Sequence, residues 1–179
     1  MAKKKFWSSD KIVAFVAMGI SLITLIIFVK QTNIIEEQSH LSVMPYLMVE
    51  TSDNGHDAVF HIEVVNYGVG PAIIDGKTFV YKDQTYDDME LVDFMRQANS
   101  LMDSVEVTNV SSLQNGLAIP SGGSRTLIRT GGTKDSYINF LQVMQEIGGD
   151  SLYYEIRYRS IYGDRWKITS LNEIPEAID

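Results

Sequence analysis

Hydrophobic side chains are spread unevenly along this chain, and the change of period divides it. From Ile12 to Val29, IVAFVAMGISLITLIIFV runs for 18 residues with no charge and no proline, and only Gly19, Ser21 and Thr24 are small or polar. Such a helix is about 27 Å long, close to the ~30 Å hydrocarbon thickness of a bilayer. A buried core helix of this length would keep a polar face. The segment therefore predicts a transmembrane helix from Ile12 to Val29, in contact with the lipid bilayer over residues 12–29. Its exit, FVKQTNIIEEQ, lacks the small residues of a cleavage site, so it reads as an uncleaved signal anchor. Residues 30–44 continue without glycine or proline and read as a helical stalk that Pro45 ends.

Beyond Pro45 the period falls from 3.6 to 2. Pro45–Thr51 and Ala58–Asn66 alternate as strands, and the SDNGHD between them is rich in turn formers, with Asn54-Gly55 suited to positive φ. Ala72–Lys82 predicts a third strand with a bulge or bend at Asp75-Gly76. From Asp87 to Met102 the helical period returns through Val92, Met95, Ala98 and Met102, with Thr85 and Asp88 spaced as a capping box. Strands are expected at Ser104–Val110 and Ser124–Arg129. A second helix runs from a Thr133 cap to Ile147, with Tyr137, Phe140, Leu141, Met144 and Ile147 in one stripe and Gly148-Gly149 closing it. Ser151–Ser170 alternates on both sides of Gly163-Asp164 and predicts a hairpin. The remaining LNEIPEAID, 171–179, reads as an acidic, frayed tail.

Six or seven short strands with Gly, Pro and Asn turns, and the first three in direct succession, predict a mainly β fold. The expected architecture is an antiparallel β-sandwich at 45–170 with two inserted helices, preceded by the span and the stalk. Its 149 residues beyond Lys30 are enough to bury a core without disulfides.

Charge orients this plan. Lys3, Lys4, Lys5 and Lys11 fall in the basic tail 1–11, against the single acid Asp10, and Phe6 and Trp7 stand where an interfacial aromatic anchor belongs. The positive-inside rule then keeps the N-terminus in the cytoplasm and places the rest outside it. The chain carries 15 Lys+Arg and 23 Asp+Glu; beyond Lys30 the balance is 10 against 22, a net −12. That balance argues against nucleic acid as a partner. With no cysteine, disulfide scaffolds, thiolate zinc sites and cysteine nucleophiles are excluded.

Few motifs carry chemistry. Asn66-Tyr-Gly68-Val-Gly70-Pro71-Ala72 is not the dinucleotide fingerprint, which needs a third glycine opening a helix. It reads as a structural corner in which Gly68 and Gly70 take positive φ, Pro71 fixes its own φ, and the Asn66 amide bonds nearby backbone. A basic N-terminus, one span, a stalk ending at Met44-Pro45, this corner, Ile119-Pro120-Ser-Gly122-Gly-Ser and Tyr158-Arg-Ser-Ile-Tyr162-Gly163-Asp-Arg-Trp166 occur in that order. The chain thereby resembles a group of small bacterial single-pass membrane proteins with an N-terminal signal anchor and an immunoglobulin-like extracytoplasmic domain. The resemblance implies that fold and an inner-membrane location, and it supplies no catalytic residues.

The histidines do not form a ligand set: His56 and His61 straddle a turn near Asp53 and Asp57, and His40 lies on the stalk. The acidic run Asp83–Asp93 lacks the alternating ligands and central glycine of a calcium loop. No Gly-x-Ser-x-Gly elbow occurs. No cofactor and no metal is therefore expected. Tyr158, Arg159, Tyr162, Arg165 and Trp166 form a basic-aromatic patch in the acidic domain, and they are the candidate docking face. Ala17 with Ser21 in the span, and Ile34, Ile35 and Leu41 in the stalk, are the features that support a homodimer. The expected function is a non-enzymatic, membrane-tethered interaction or scaffold module that binds another envelope protein. Its rivals are an oligomerising membrane effector or sensor, as in phage defence or stress response, and an envelope hydrolase using Asp87, Asp88 or Asp93.

Overall fold

The computed structural model describes residues 9–149 and 152–178. The expectations for Lys3, Lys4, Lys5, Phe6 and Trp7, and for Ser151 at the start of the last hairpin, lie outside the described residues. The chain divides at Leu41/Ser42 into a helical unit and a β-rich unit.

The first unit is one helix, α1 (Ser9–Leu41), in which span and stalk run together for 33 residues with none buried, and it stops at Leu41, short of the expected 30–44 stalk. It is long and apolar enough to cross a membrane. Within it the Ser21 and Thr24 hydroxyls donate to the carbonyls of Ala17 and Ile20, each four residues back and each at 2.9 Å.

The second unit holds two antiparallel sheets, consistent with a β-sandwich. Strands β1 (Leu47–Asn54), β2 (Val59–Asn66), β5 (Val107–Asn109) and β7 (Ser124–Thr130) form the first, in the order β1-β2-β7-β5. The second runs β10-β9-β8-β3-β4, from β3 (Ala72–Tyr81), β4 (Gln84–Asp87), β8 (Tyr153–Arg159), β9 (Arg165–Thr169) and β10 (Asn172–Ile178), with β6 (Ala118–Ile119) also on β3. Alternation makes the core: Phe60, Ile62 and Val64 of β2 are buried, as are Ile156 and Tyr158 of β8. Between the strands lie α2 (Leu91–Ala98), a 3₁₀ turn (Ser100–Ser104) and α3 (Lys134–Gly149).

The bulge in β3 has consequences for everything inward of it. Its register shifts between Ile74 and Gly76, as the sequence led us to expect, and the shift reverses the parity of the strand. Ala72 and Ile74 point inward before it; Lys77, Phe79 and Tyr81 point inward after it. A lysine is thus carried into the interior.

Other expectations are corrected. Asp87–Met102 is not one helix. Lys82 and Asp83 both take positive φ, at 50° and 61°, and turn the chain into β4, so α2 starts only at Leu91. The capping box of Thr85 and Asp88 does not form; Glu90 occupies the N-cap without a side-chain cap bond. Gly55 is not at positive φ; Ala58 is, at 53°, and Asn54 holds the turn by donating from Nδ2 to Asp57 at 2.7 Å. Of the segment expected to be a frayed tail, 171–179, the described part is not frayed: Asn172–Ile178 is β10, paired antiparallel with β9 around a bulge. Pro175 is tolerated there because β10 is an edge strand. The Thr133 cap does form, its hydroxyl accepting from Ser136 N at 3.1 Å.

Candidate functional site

Three constellations stand out in the β-rich unit: the corner at 66–71, the basic-aromatic hairpin and a buried lysine. The corner is built on Asn66, the last residue of β2, fully buried at 0 % exposure. All four of its amide's hydrogen-bonding directions go to backbone. Oδ1 accepts from Tyr46 N (3.1 Å) and Gly68 N (3.0 Å), and Nδ2 donates to Gly70 O (2.8 Å) and Ile119 O (3.0 Å). One side chain so joins the chain leaving α1, the loop 67–71 and β6. Backbone bonds complete the join: Tyr67 N donates to Tyr46 O at 2.8 Å and Val69 N to Met44 O at 3.1 Å.

The glycines serve a different need from the one expected. Neither Gly68 nor Gly70 has positive φ. They are needed for close approach: a Cβ on Gly68 would stand 2.5 Å from Met44 O, and one on Gly70 would overlap the Val43 carbonyl and lie 2.6 Å from Val43 Cα. Residues 43–46 press directly on the loop, and only hydrogen fits between.

Among the hairpin residues, Tyr158 does not belong to a docking face. It is fully buried, its hydroxyl accepts from Leu47 N at 3.3 Å across the two sheets, and its ring stacks on Trp166 at 6.0 Å. Burial pushes its hydroxyl up to about 12, with the bond from Leu47 pulling the other way. Trp166 is half-buried against it. Arg159 donates to Asp75 at 2.7 Å, and Arg165 lies 3.8 Å from the same carboxylate. Asp75 is the first residue of the bulge, so the hairpin's cations are drawn over the β3 irregularity. Tyr162 is at the tip and 52 % exposed. The tip itself is held by Ser160, whose Oγ accepts from Tyr162 N (3.1 Å) and Asp164 N (3.3 Å).

Pairing brings the corner and this tip together. Ile73 of β3 pairs with Arg159 and Arg159 with Arg165, so loop 67–71 and the turn 160–164 share one end of the sheet. Tyr67, Val69, Ile161 and Tyr162, each more than half exposed, crowd that end. It is also the end at which residues 43–46 join the domain. Sequence reasoning found Tyr162 but not Tyr67, Val69 or Ile161, because pairing of β3 with β8 is a long-range fact.

Lys77, turned inward by the bulge, is 4 % exposed. It donates to Leu113 O at 2.8 Å and to Glu90 at 3.1 Å. Glu90 also accepts from Ser112 Oγ (2.6 Å) and Leu113 N (3.2 Å). Burial works to raise the Glu90 carboxyl, but these hydrogen bonds from Ser112, Leu113 and Lys77 outweigh it and hold the group below its ordinary range. The network ties β3, the start of α2 and the 110–117 loop together, and it is structural.

The acidic run is taken up locally. Asp87 accepts from Thr78 Oγ1 at 2.8 Å, Asp88 from Lys77 N at 3.3 Å and from Asn115 at 3.2 Å, and Asp93 lies exposed in the first turn of α2. His56 sits exposed beside Asp57, at 2.9 Å, while His61 bonds Thr126 at 3.1 Å. Among the described residues no group of three or more His, Cys, Asp or Glu is placed to hold a metal ion. Compared with known proteins, the chain matches no family model and no curated protein.

Proposed function

We propose that this protein is a non-enzymatic module anchored in the bacterial inner membrane by α1, with an immunoglobulin-like domain outside the cytoplasm that binds another envelope protein. The observation that carries the reading is α1 itself. The helix is continuous over 33 residues, the apolar side chains of its Ile12–Val29 run are exposed all round, and water does not tolerate such a surface. The flanking lysines favour a cytoplasmic N-terminus. Two antiparallel sheets whose connections cross between them support the immunoglobulin-like assignment.

For the partner surface we favour the end of the domain that carries Tyr67, Val69, Ile161 and Tyr162, with Arg165 beside them. Tyr and Arg are enriched where binding energy concentrates. This revises the candidate face: Tyr162 and Arg165 stay, Arg159 is partly committed to Asp75 and Trp166 is packed on Tyr158.

The rival reading, an oligomerising effector or sensor, draws on Ala17 and Ser21. The Ser21 hydroxyl already donates to Ala17 O within its own helix at 2.9 Å, so its polar group does not require a second helix. The test is carbonate extraction followed by affinity capture from native membranes in mild detergent. The expected result is retention in the carbonate pellet and a stoichiometric partner, lost in a Tyr162→Ala/Arg165→Ala double variant. Release by carbonate would remove the anchor. A homo-oligomer as the sole captured species would favour the rival.

A further inference from the structure

An apolar pocket of about 200 Å³ opens in the β-rich unit. Its walls come from both sheets and both helices: Ile62 of β2, Phe79 of β3, Leu127 of β7, Leu91 and Met95 of α2, and Met144 of α3. Ile62, Phe79, Met95 and Leu127 are core residues, so the floor is the domain's own interior. Leu91 and Met144 are only half-buried, so the mouth meets solvent. A well-packed core leaves few voids larger than a water molecule. Water gains little here, because an apolar cavity offers it no partners; engineered cavities of ~150 Å³ with such walls stay dry and take up benzene. Two methionines on the wall, Met95 and Met144, supply flexible, polarisable surface that adapts to an apolar guest.

The rim sets the charge of the guest. Thr51 and Glu173 are the polar residues there, and both are exposed. Glu173 disfavours an anion at the mouth, in a domain whose balance is already strongly acidic. Its carboxylate also acts on the adjacent Tyr154, whose hydroxyl is pushed up first by burial and then by this charge.

We propose that this pocket, formed by Ile62, Phe79, Leu91, Met95, Leu127 and Met144 with Glu173 at its rim, binds the apolar tail of a neutral molecule of about six to eight carbons, the size that a volume slightly above a benzene cavity admits. The tail comes either from a free small molecule or from a lipid.

The full chain in lipid nanodiscs, with methionine methyls labelled with ¹³C, tests this, since Met95 and Met144 report from the wall. If lipid supplies the tail, doxyl-labelled lipid broadens the Met95 and Met144 signals before anything is added. If a free molecule does, 1-hexanol shifts the same two signals saturably and hexanoate binds about tenfold more weakly, a gap that Glu173→Gln narrows. Met144→Trp fills the mouth and abolishes either effect at Met95, the reporter that remains, and an unchanged unfolding temperature shows that the domain still folds. If that variant misfolds, Leu91→Phe, which narrows the same mouth by a milder change, takes its place. Neither broadening by lipid nor a saturable shift with hexanol, or a shift that survives in the filled variant, overturns the proposal. Hexanoate binding as tightly as hexanol overturns the rim assignment and with it the neutral ligand class.

Discussion

Replacing Asn66 tests the account of the corner most directly. In Asn66→Ala the four backbone partners of the amide lose it together. Gly70 and Ile119 are buried, and a deserted buried carbonyl costs about 1–3 kcal/mol; the half-exposed amides of Tyr46 and Gly68 can turn to water and cost about 0.5 kcal/mol each. The total is about 5 kcal/mol, a large share of the ~5–15 kcal/mol that holds a typical domain. Asn66→Asp sharpens the test. A carboxylate there keeps the acceptor for Tyr46 and Gly68 but turns negative oxygen toward the carbonyls of Gly70 and Ile119, so at neutral pH it is worse than alanine. Burial and those carbonyls raise its folded pKa above the unfolded value of about 3.9. A raised folded pKa means that stability is present at low pH and lost as pH rises, so the Asp variant approaches the parent on acidification. Urea unfolding of the full chain in detergent micelles, followed by Trp166 fluorescence between pH 4 and 8 in a Trp7→Phe background, measures both. An alanine penalty below about 1 kcal/mol, or an Asp variant whose deficit is flat with pH, refutes the reasoning.

Gly70→Ala places a methyl group into the Val43 carbonyl, and about 2–3 kcal/mol of stability should be lost by the same unfolding assay, in line with overpacking a rigid site. Glu90→Ala leaves the Lys77 ammonium buried beside Leu113 O alone and should cost about 3 kcal/mol at neutral pH. Because the Glu90 carboxyl is held below its ordinary range, its contribution is present above that range and fades as pH falls through the lowered value; an acid-unfolding curve should lose this limb in the variant. Tyr158, raised to about 12, stabilises fully below the unfolded value near 10 and progressively less from there to 12; Tyr158→Phe should flatten the alkaline limb of a melting-temperature profile. In hydrogen exchange, one of the two adjacent amides of Ala177 and Ile178, the one whose N–H faces β9, should be protected well beyond an unstructured peptide; random-coil rates at both would return the segment to a frayed tail.

Where the chain's local rules act alone, the sequence is easily read. The apolar run of α1, the alternation of β2 and β8, the Thr133 cap and the Asp75-Gly76 bulge are each specified by neighbours a few residues away. What eluded that reading is long-range or disguised. The β3–β4 turn uses Lys82 and Asp83 at positive φ where Asn-Gly would announce itself, so the acids after it passed for a helix start. The edge position that tolerates Pro175 in β10 is a property of the sheet rather than of the residue. Lys77 is inside because a bulge reverses parity, a step that follows from the expected bulge once the count is carried past it. Tyr158 alternates with Arg157 and Arg159, so its inward direction was available from the strand period; its chemical resemblance to the other hairpin aromatics obscured that. The exposed cluster at the corner and the hairpin tip required the pairing of Ile73 with Arg159, 86 positions apart in the numbering.

The way residues 43–46 are fastened also decides how the molecule meets mechanical load. Any tug that arrives through the helix reaches the Met44 and Tyr46 carbonyls, gripped by the amides of Val69 and Tyr67, and the Tyr46 amide, gripped by Asn66. Those bonds must give way before β1 can peel from β2. The domain therefore resists being drawn open from its N-terminal side, and its first yielding point is a knot of backbone around one asparagine rather than the long seam of a strand.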